Sequence, residues 1–255
     1  MSVMSGIALT RHVPASFAHA LAAVPQRIDL ARARVQHARY REALDELGLD
    51  VIVLAADDTL PDCCFIEDTA VVAGGLAIST RPGAPSRQPE TAAVADRLTS
   101  AIEVATIEPP GTLDGGDCMR VGATLFVGRS ARTNAAGIAQ VAAILEPRGV
   151  RVVAIDLPPG VLHLKCVCAP LGGDRITLAD GSLPAAVFRG LDIVSVPADE
   201  SYAANVLAYG TGVLVAAGFP RTHDALAARG LQPIAIDTSE FRKADGALTC
   251  LSIIL

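Results

Sequence analysis

Six cysteines, five histidines and several short acidic motifs are the residues of this chain that could do chemistry. Cys250 stands apart. It follows the turn-like Asp245-Gly246 and precedes the apolar run Leu251 to Leu255, which places it at a strand start facing a cleft. An isolated cysteine is ordinarily inert packing. A nucleophilic one needs a histidine within reach and a route to the thiolate. His163 is the best partner, because it lies in the apolar stretch Val161-Leu162-His163-Leu164-Lys165. His12, His19, His37 and His223 sit among polar or helical residues and read as surface groups.

Carboxylates are the third ingredient. Phe65-Ile66-Glu67-Asp68 sets two acids just before the apolar run Thr69 to Val72, and Asp114-Gly115-Gly116-Asp117 sets two more before Val121. Acids at the mouth of apolar strands must be paired if they are buried. Converging acids beside a thiol suit a cationic ligand, since carboxylates hold a guanidinium bidentately. Arg87 and Arg132 close two equivalent runs and could hold an anionic end. A ligand with a cation at one end and a carboxylate at the other is an amino acid like arginine.

The elements that must position these groups repeat. Five times a helix leads into a short β-branched strand: Val35 to Leu47 then 51–54, Thr91 to Leu98 then 102–107, Ala135 to Leu145 then 150–155, Leu183 to Phe188 then 191–196, and Asp224 to Ala228 then 231–236. A polar loop and a further apolar run follow each strand. The reactive residues share one phase, in or after that loop: Asp62, Glu67 and Asp68; Asp114 and Asp117; His163; Asn205; Asp245 and Cys250. Repeated units of this size bury a common core by packing side by side. The expected fold is α/β, a closed five-bladed α/β propeller of repeated ββαβ units with pseudo-fivefold symmetry, forming one domain over residues 1–255. An open doubly wound sheet is the alternative that α/β alternation also allows.

Composition narrows the function classes. The 255 residues are 51% apolar and 4% aromatic with no Trp, and the net charge is −6. Disorder is excluded by the apolar content. Binding to nucleic acid, which needs clustered Lys and Arg and stacking rings, is not expected. The uncharged stretch 203–220 holds three glycines and ends in Pro220, so it reads as strands and a turn rather than a membrane span. No secretory signal is expected at the N-terminus. Six sparse cysteines suit free thiols in a reducing cytoplasm.

In order along the chain, Leu60-Pro61-Asp62-Cys63-Cys64-Phe65-Ile66-Glu67-Asp68, Arg81 to Arg87, Thr112 to Asp117, Ser130 to Asn134, Leu162 to Lys165, Ser201 to Asn205 and Lys243 to Cys250 resemble the motifs of the dimethylarginine dimethylaminohydrolases, members of the guanidine-modifying pentein superfamily. The resemblance implies hydrolysis of Nω-methylated arginine to citrulline and an alkylamine, with no cofactor and no metal. Cys250 would attack the guanidinium carbon. His163 would protonate the departing amine and then activate water. Asp114 would orient His163 and touch the guanidinium, and Asp68 would bind guanidinium nitrogens. Arg87 and Arg132 look like the α-carboxylate clamp. Asp62, with backbone carbonyls near Leu21 and Ala244 beside Asp245, resembles the α-amine site. Phe65 and Glu67 would line the pocket, and Ala15 to Val24 resembles a mobile lid. Cys166 and Cys168 read as packing thiols, although Cys250 and His163 could capture adventitious zinc. The implied partner is a small-molecule substrate, with a homodimer left open. Arginine deiminase or dihydrolase activity, or non-catalytic binding of an arginine analogue, are the alternatives. The His motif continues as Lys165 rather than the acid usual in deiminases, and an intact nucleophile argues against a mere binder.

Overall fold

The computed structural model describes residues 6–255. Among these residues the strands form five three-stranded sheets. Four sheets are contiguous in the chain. In one, β3 (Ala70–Ala73) turns back as β4 (Leu76–Ser79), the helix α2 (Thr91–Thr99) crosses over, and β5 (Val104–Thr106) returns parallel to β4. The next repeats the pattern with β6 (Cys118–Val121), β7 (Thr124–Arg129), α3 (Ala135–Leu145) and β8 (Arg151–Asp156). Two more follow: β9 (Cys168–Gly172), β10 (Arg175–Ala179) and β11 (Asp192–Val196), then β12 (Leu207–Tyr209), β13 (Gly212–Ala216), α4 (Pro220–Ala228) and β14 (Gln232–Ile236). The fifth sheet draws on both ends of the chain. Its strand β1 (Ile7–Arg11) pairs parallel with β2 (Asp50–Leu54) across α1 (Leu30–Glu46), and antiparallel with β15 (Ile253–Ile254).

Three of the contiguous units follow the expected ββαβ order, the β9–β11 unit has a 3-10 turn in place of the helix, and local chemistry builds them. Gly74 and Gly75 both take positive φ, 60° and 79°, the geometry a tight β3–β4 hairpin needs. Asp29 caps α1 by accepting from the Arg32 N–H at 3.1 Å. The buried stripe of α1 runs Ala33, Gln36, His37, Tyr40, Ala43 and Leu44, which is helical spacing. The helix starts five residues before the expected Val35, at the Asp29 cap, and Arg32 and Arg34 in its first turns are exposed. Leu183 to Phe188 was expected as a helix, but only a single 3-10 turn forms, Ala185–Phe188. Pro184 precedes it and Gly190, at φ 92°, stops it.

His37 corrects the surface reading of that residue. It is 2% exposed, on the inward stripe of α1, against Tyr40 and Phe241. Burial, reinforced by Arg41 and His12, pushes its imidazole down to about 3, so it is neutral.

Neighbouring sheets touch through edge strands: β9 lies against β6 and β12, and β15 lies against β3. All six cysteines are free. No helix among the described residues is long and apolar enough to cross a membrane.

Candidate active site

The five loops that follow the parallel closing strands β2, β5, β8, β11 and β14 each end in a short 3-10 turn. These are Ile66–Thr69, Gly115–Asp117, Leu164–Cys166, Ala198–Ala204 and Thr249–Leu251. Asp68, Asp114, His163, Asn205 and Cys250 lie in or directly beside them. Cys250 is therefore on a 3-10 turn rather than at a strand start; β15 begins three residues later.

A cavity of about 230 Å³ opens between these loops. Its wall includes Leu21, Asp62, Phe65, Asp68, Arg87, Arg132, His163, Ala244, Asp245 and Cys250, ten of the twelve predicted site residues. Asp114 lies just behind the wall, with no exposure. Glu67 is elsewhere. It lines a second cavity with Lys165 and Thr249, because adjacent residues on a 3-10 turn project in different directions.

His163 is held between two acids. Its Nε2 is 3.0 Å from Asp114 Oδ2, and its Nδ1 is 4.0 Å from Asp68 Oδ1. Asp114 is fixed in turn, since its Oδ1 accepts from the Gly83 N–H at 2.8 Å and its own N–H donates to Thr133 Oγ1 at 3.0 Å. Gly116 permits this approach. A Cβ there would stand 2.6 Å from His163 Nδ1 and 2.9 Å from Asp68 Oδ1. Burial disfavours the imidazolium, but Asp68, then Asp114 and Asp117, outweigh it and lift His163 to about 9. Its protonated ring donates from both nitrogens. Asp68 is buried too, yet His163, Arg87 and the Gly116 N–H hold it down to about 2.

Cys250 is in the opposite condition. Burial, then Glu67 and Asp68, push its thiol well above the ordinary range. The resting pair is thus a neutral thiol and a charged imidazolium. A cation brought to the cavity shifts the thiol toward thiolate.

Arg87 is nearly saturated. Nη1 donates to Asp68 at 2.5 Å, Nη2 to the Phe65 carbonyl at 2.9 Å and to Glu90 at 2.8 Å, and Nε also to Glu90. A guanidinium carries five N–H donors, so one on Nη1 remains. Arg132 is freer: the Asp114 carboxylate, 3.8 Å away, is its one ion-pair partner among the described residues. Asp62 Oδ1 accepts from the Leu21 N–H at 3.0 Å, and Asp245 Oδ2 from the Ala23 N–H at 2.5 Å. Two carboxylates therefore grip the 21–23 backbone over the cavity. Burial raises Asp62 against Arg87 and the Leu21 N–H.

Sequence reasoning named Glu67 and Asn205 but missed Glu90, Lys165 and Thr249 among the residues that support this wall. Glu90 neutralises Arg87 from i+3 on one turn, a spacing that could have identified it. Glu67 pairs with Lys165 and accepts from Thr249 Oγ1 at 2.8 Å, and Asn205 bridges Thr249 and the Lys165 carbonyl. This network fixes the residue next to Cys250. Asp68, Asp114 and His163 each bring one ligand atom within 4.8 Å of the others, but Arg87, Gly116 and Gly83 already occupy those carboxylates.

The family model described as "N,N dimethylarginine dimethylhydrolase, eukaryotic" matches residues 15–208. The N(G),N(G)-dimethylarginine dimethylaminohydrolase of Pseudomonas aeruginosa is 39% identical over 227 residues, 88% of this chain and 89% of that protein. Its counterpart in Streptomyces coelicolor is 39% identical over 232 residues, 90% and 88% of the two chains. A solved structure of the Pseudomonas aeruginosa enzyme, a Cys-to-Ser variant complexed with citrulline, superposes with a TM-score of 0.94 at 36% identity, covering 99% of this chain and 100% of that one. A cyanobacterial arginine dihydrolase domain shares the fold alone, with a TM-score of 0.86 at 17% identity and 98% coverage of both chains. With a family model spanning most of its length and relatives aligned over nearly nine-tenths of it on a superposable α/β fold, the chain belongs to the dimethylarginine dimethylaminohydrolase family.

Proposed function

We propose that this chain hydrolyses asymmetric dimethylarginine and monomethylarginine to L-citrulline and dimethylamine or methylamine, through a covalent intermediate on Cys250. The observation that carries this reading is one cavity holding Cys250, an imidazolium fixed by Asp114, and an acid, Asp68, facing both. The guanidinium sits against Asp68, and its positive charge lowers the Cys250 pKa so that the thiol releases its proton to solvent, His163 being already protonated. The thiolate attacks the guanidinium carbon. His163, already protonated, gives its proton to the departing amine, leaving an S-alkylthiouronium. Neutral His163 then takes a proton from water, and the hydroxide displaces the thiolate to give citrulline. Acid–base catalysis of this kind contributes about 10²–10⁴-fold.

Arg132 anchors the α-carboxylate, with the last free N–H of Arg87 beside it. Asp62, Asp245 and the Leu21 and Ala244 backbone receive the α-amine end, and Phe65 walls the alkyl chain. Residues 1–255 work as one catalytic domain. The sheet contacts β15–β3, β6–β9 and β9–β12, with α1 against β14, support closure into a five-bladed ring around this cavity.

Citrulline release is measured side by side on arginine, monomethylarginine and asymmetric dimethylarginine. Fastest turnover of a methylated substrate is expected, and the Cys250→Ser chain is expected to lose it. Undiminished turnover by that variant overturns the mechanism, and faster turnover of arginine selects the deiminase alternative.

A further inference from the structure

Where one flank of α1 meets residues 12–13 and 55–56, outside the catalytic cavity, a third cavity of about 410 Å³ is lined by His12, Val13, Arg34, His37, Arg41, Ala55 and Ala56. Four of its seven lining residues are basic types and none is acidic, in a chain whose net charge is −6. Arg34, His37 and Arg41 stand at i, i+3 and i+7 on α1, so they share one face. The other outward arginines of this helix are paired: Arg32 with Asp237 and Arg39 with Glu46. Arg34 and Arg41 have no ion pair among the described residues.

Unmet hydrogen-bonding capacity points the same way. The Nε2 of His37 is buried with no hydrogen-bond partner, and so is the Nε of Arg41. Buried polar groups are nearly always satisfied, so two orphans behind one cavity wall mark a region rich in donors and short of acceptors. Neutral His37 donates from one of its ring nitrogens, and an arginine fork matches a phosphate. Three donors rising from separate turns suit a tetrahedral oxyanion better than a planar carboxylate, which offers only two oxygens.

We propose that this cavity is a binding site for the phosphate group of a small molecule, held by Arg34, His37 and Arg41. Nothing in this depends on the chemistry at Cys250. The cavity exceeds what one phosphate fills, so a phosphate ester is as well accommodated as the free ion.

The test is a titration of the full chain, labelled with ¹⁵N-histidine, with inorganic phosphate in one arm and a nucleoside monophosphate in the other. A saturable shift of the His37 imidazole resonances is expected in at least one arm, and tighter binding in the second assigns the rest of the cavity to the ester. Arg34→Ala and Arg41→Ala are expected to weaken binding at least tenfold each, while Arg132→Ala leaves it unchanged. Arg34 is exposed, so its variant keeps the fold, which citrulline release confirms. No saturable shift in either arm overturns the site. Equal binding by Arg34→Ala also overturns it, as the mark of an adventitious ion only.

Discussion

His163 is stabilised as a cation by Asp68 and Asp114, which makes protonation a matter of both catalysis and stability. Its pKa is raised in the folded chain from 6.5 to about 9, so the stabilisation is complete below about 6.5 and fades as pH rises through about 9. Asp114→Asn keeps the shape and an acceptor for the Gly83 N–H but removes a charge. We expect the His163 titration, followed by NMR, to move down toward 6.5, and citrulline release to fall roughly 10²–10⁴-fold. An unmoved titration would show that Asp114 does not hold the proton on the ring. Cys250 carries a second expectation. Its resting thiol should alkylate slowly at neutral pH and faster as pH rises, and a non-reactive guanidinium ligand should shift that profile to lower pH. Cys250, His163, Asp62, Asp68 and Asp245 were legible because chemistry tied to a loop phase shows in the sequence, whereas Leu21, Phe65 and Ala244 were expected only from the family resemblance. Glu67 and His37 were misread for the opposite reason: which way a side chain projects from a 3-10 turn, and whether a polar helix position faces inward, are settled by packing alone.

At the scale of elements, the segment over the cavity is held at several points. Phe17, fully buried, packs on Phe65 and Phe241 with ring centroids 5.6 and 5.3 Å away. Asp58 accepts from the Ala15 N–H, Asp62 from Leu21 and Asp245 from Ala23. Asp245 makes its bond from a left-handed backbone, φ 56°, where a non-glycine residue costs about 1–2 kcal/mol. Asp245→Gly therefore separates fold from grip. Glycine fits the backbone, so thermal stability should hold or rise by up to about 1 kcal/mol. Amide exchange at residues 20–24 should accelerate and KM should rise, because the Ala23 anchor is gone. Unchanged exchange there would mean that Phe17, Asp58 and Asp62 hold the segment without Asp245. Sequence periodicity found these elements where apolar and β-branched runs alternate, as at α3, whose predicted and observed bounds coincide. It overreached at Leu183 to Phe188, where Pro184 and Gly190 leave room for one turn only.

For the molecule as a whole, the informative sheet is the one periodicity could not have paired. Strands β3 to β14 pair within local units, so hairpin turns and crossover helices announce them. The partner of β1 is β15, with Leu9 opposite Ile253 and Ala8 opposite Ile254, and contacts of such sequence separation leave no local signal. That pairing also positions the nucleophile, since Cys250 lies three residues before β15 and Ser252 between them bonds the buried Tyr40 hydroxyl of α1 at 2.7 Å. Removing residues 253–255 would strip the outer strand from β1 and break the mutual backbone bonds of Ile7 and Leu255. One buried and two half-buried aliphatic side chains go with it, about 3–6 kcal/mol at the usual 1.5–3 kcal/mol for a fully buried one. Against a typical total of about 5–15 kcal/mol, the melting temperature should drop by roughly 10–20 °C. If β15 holds Cys250 in register with His163, citrulline release at a temperature where the shortened chain is still folded should fall far more than the folded fraction does. A shortened chain that is less stable but fully active when folded would show that Tyr40, Asn205 and Thr249 position Cys250 without the strand.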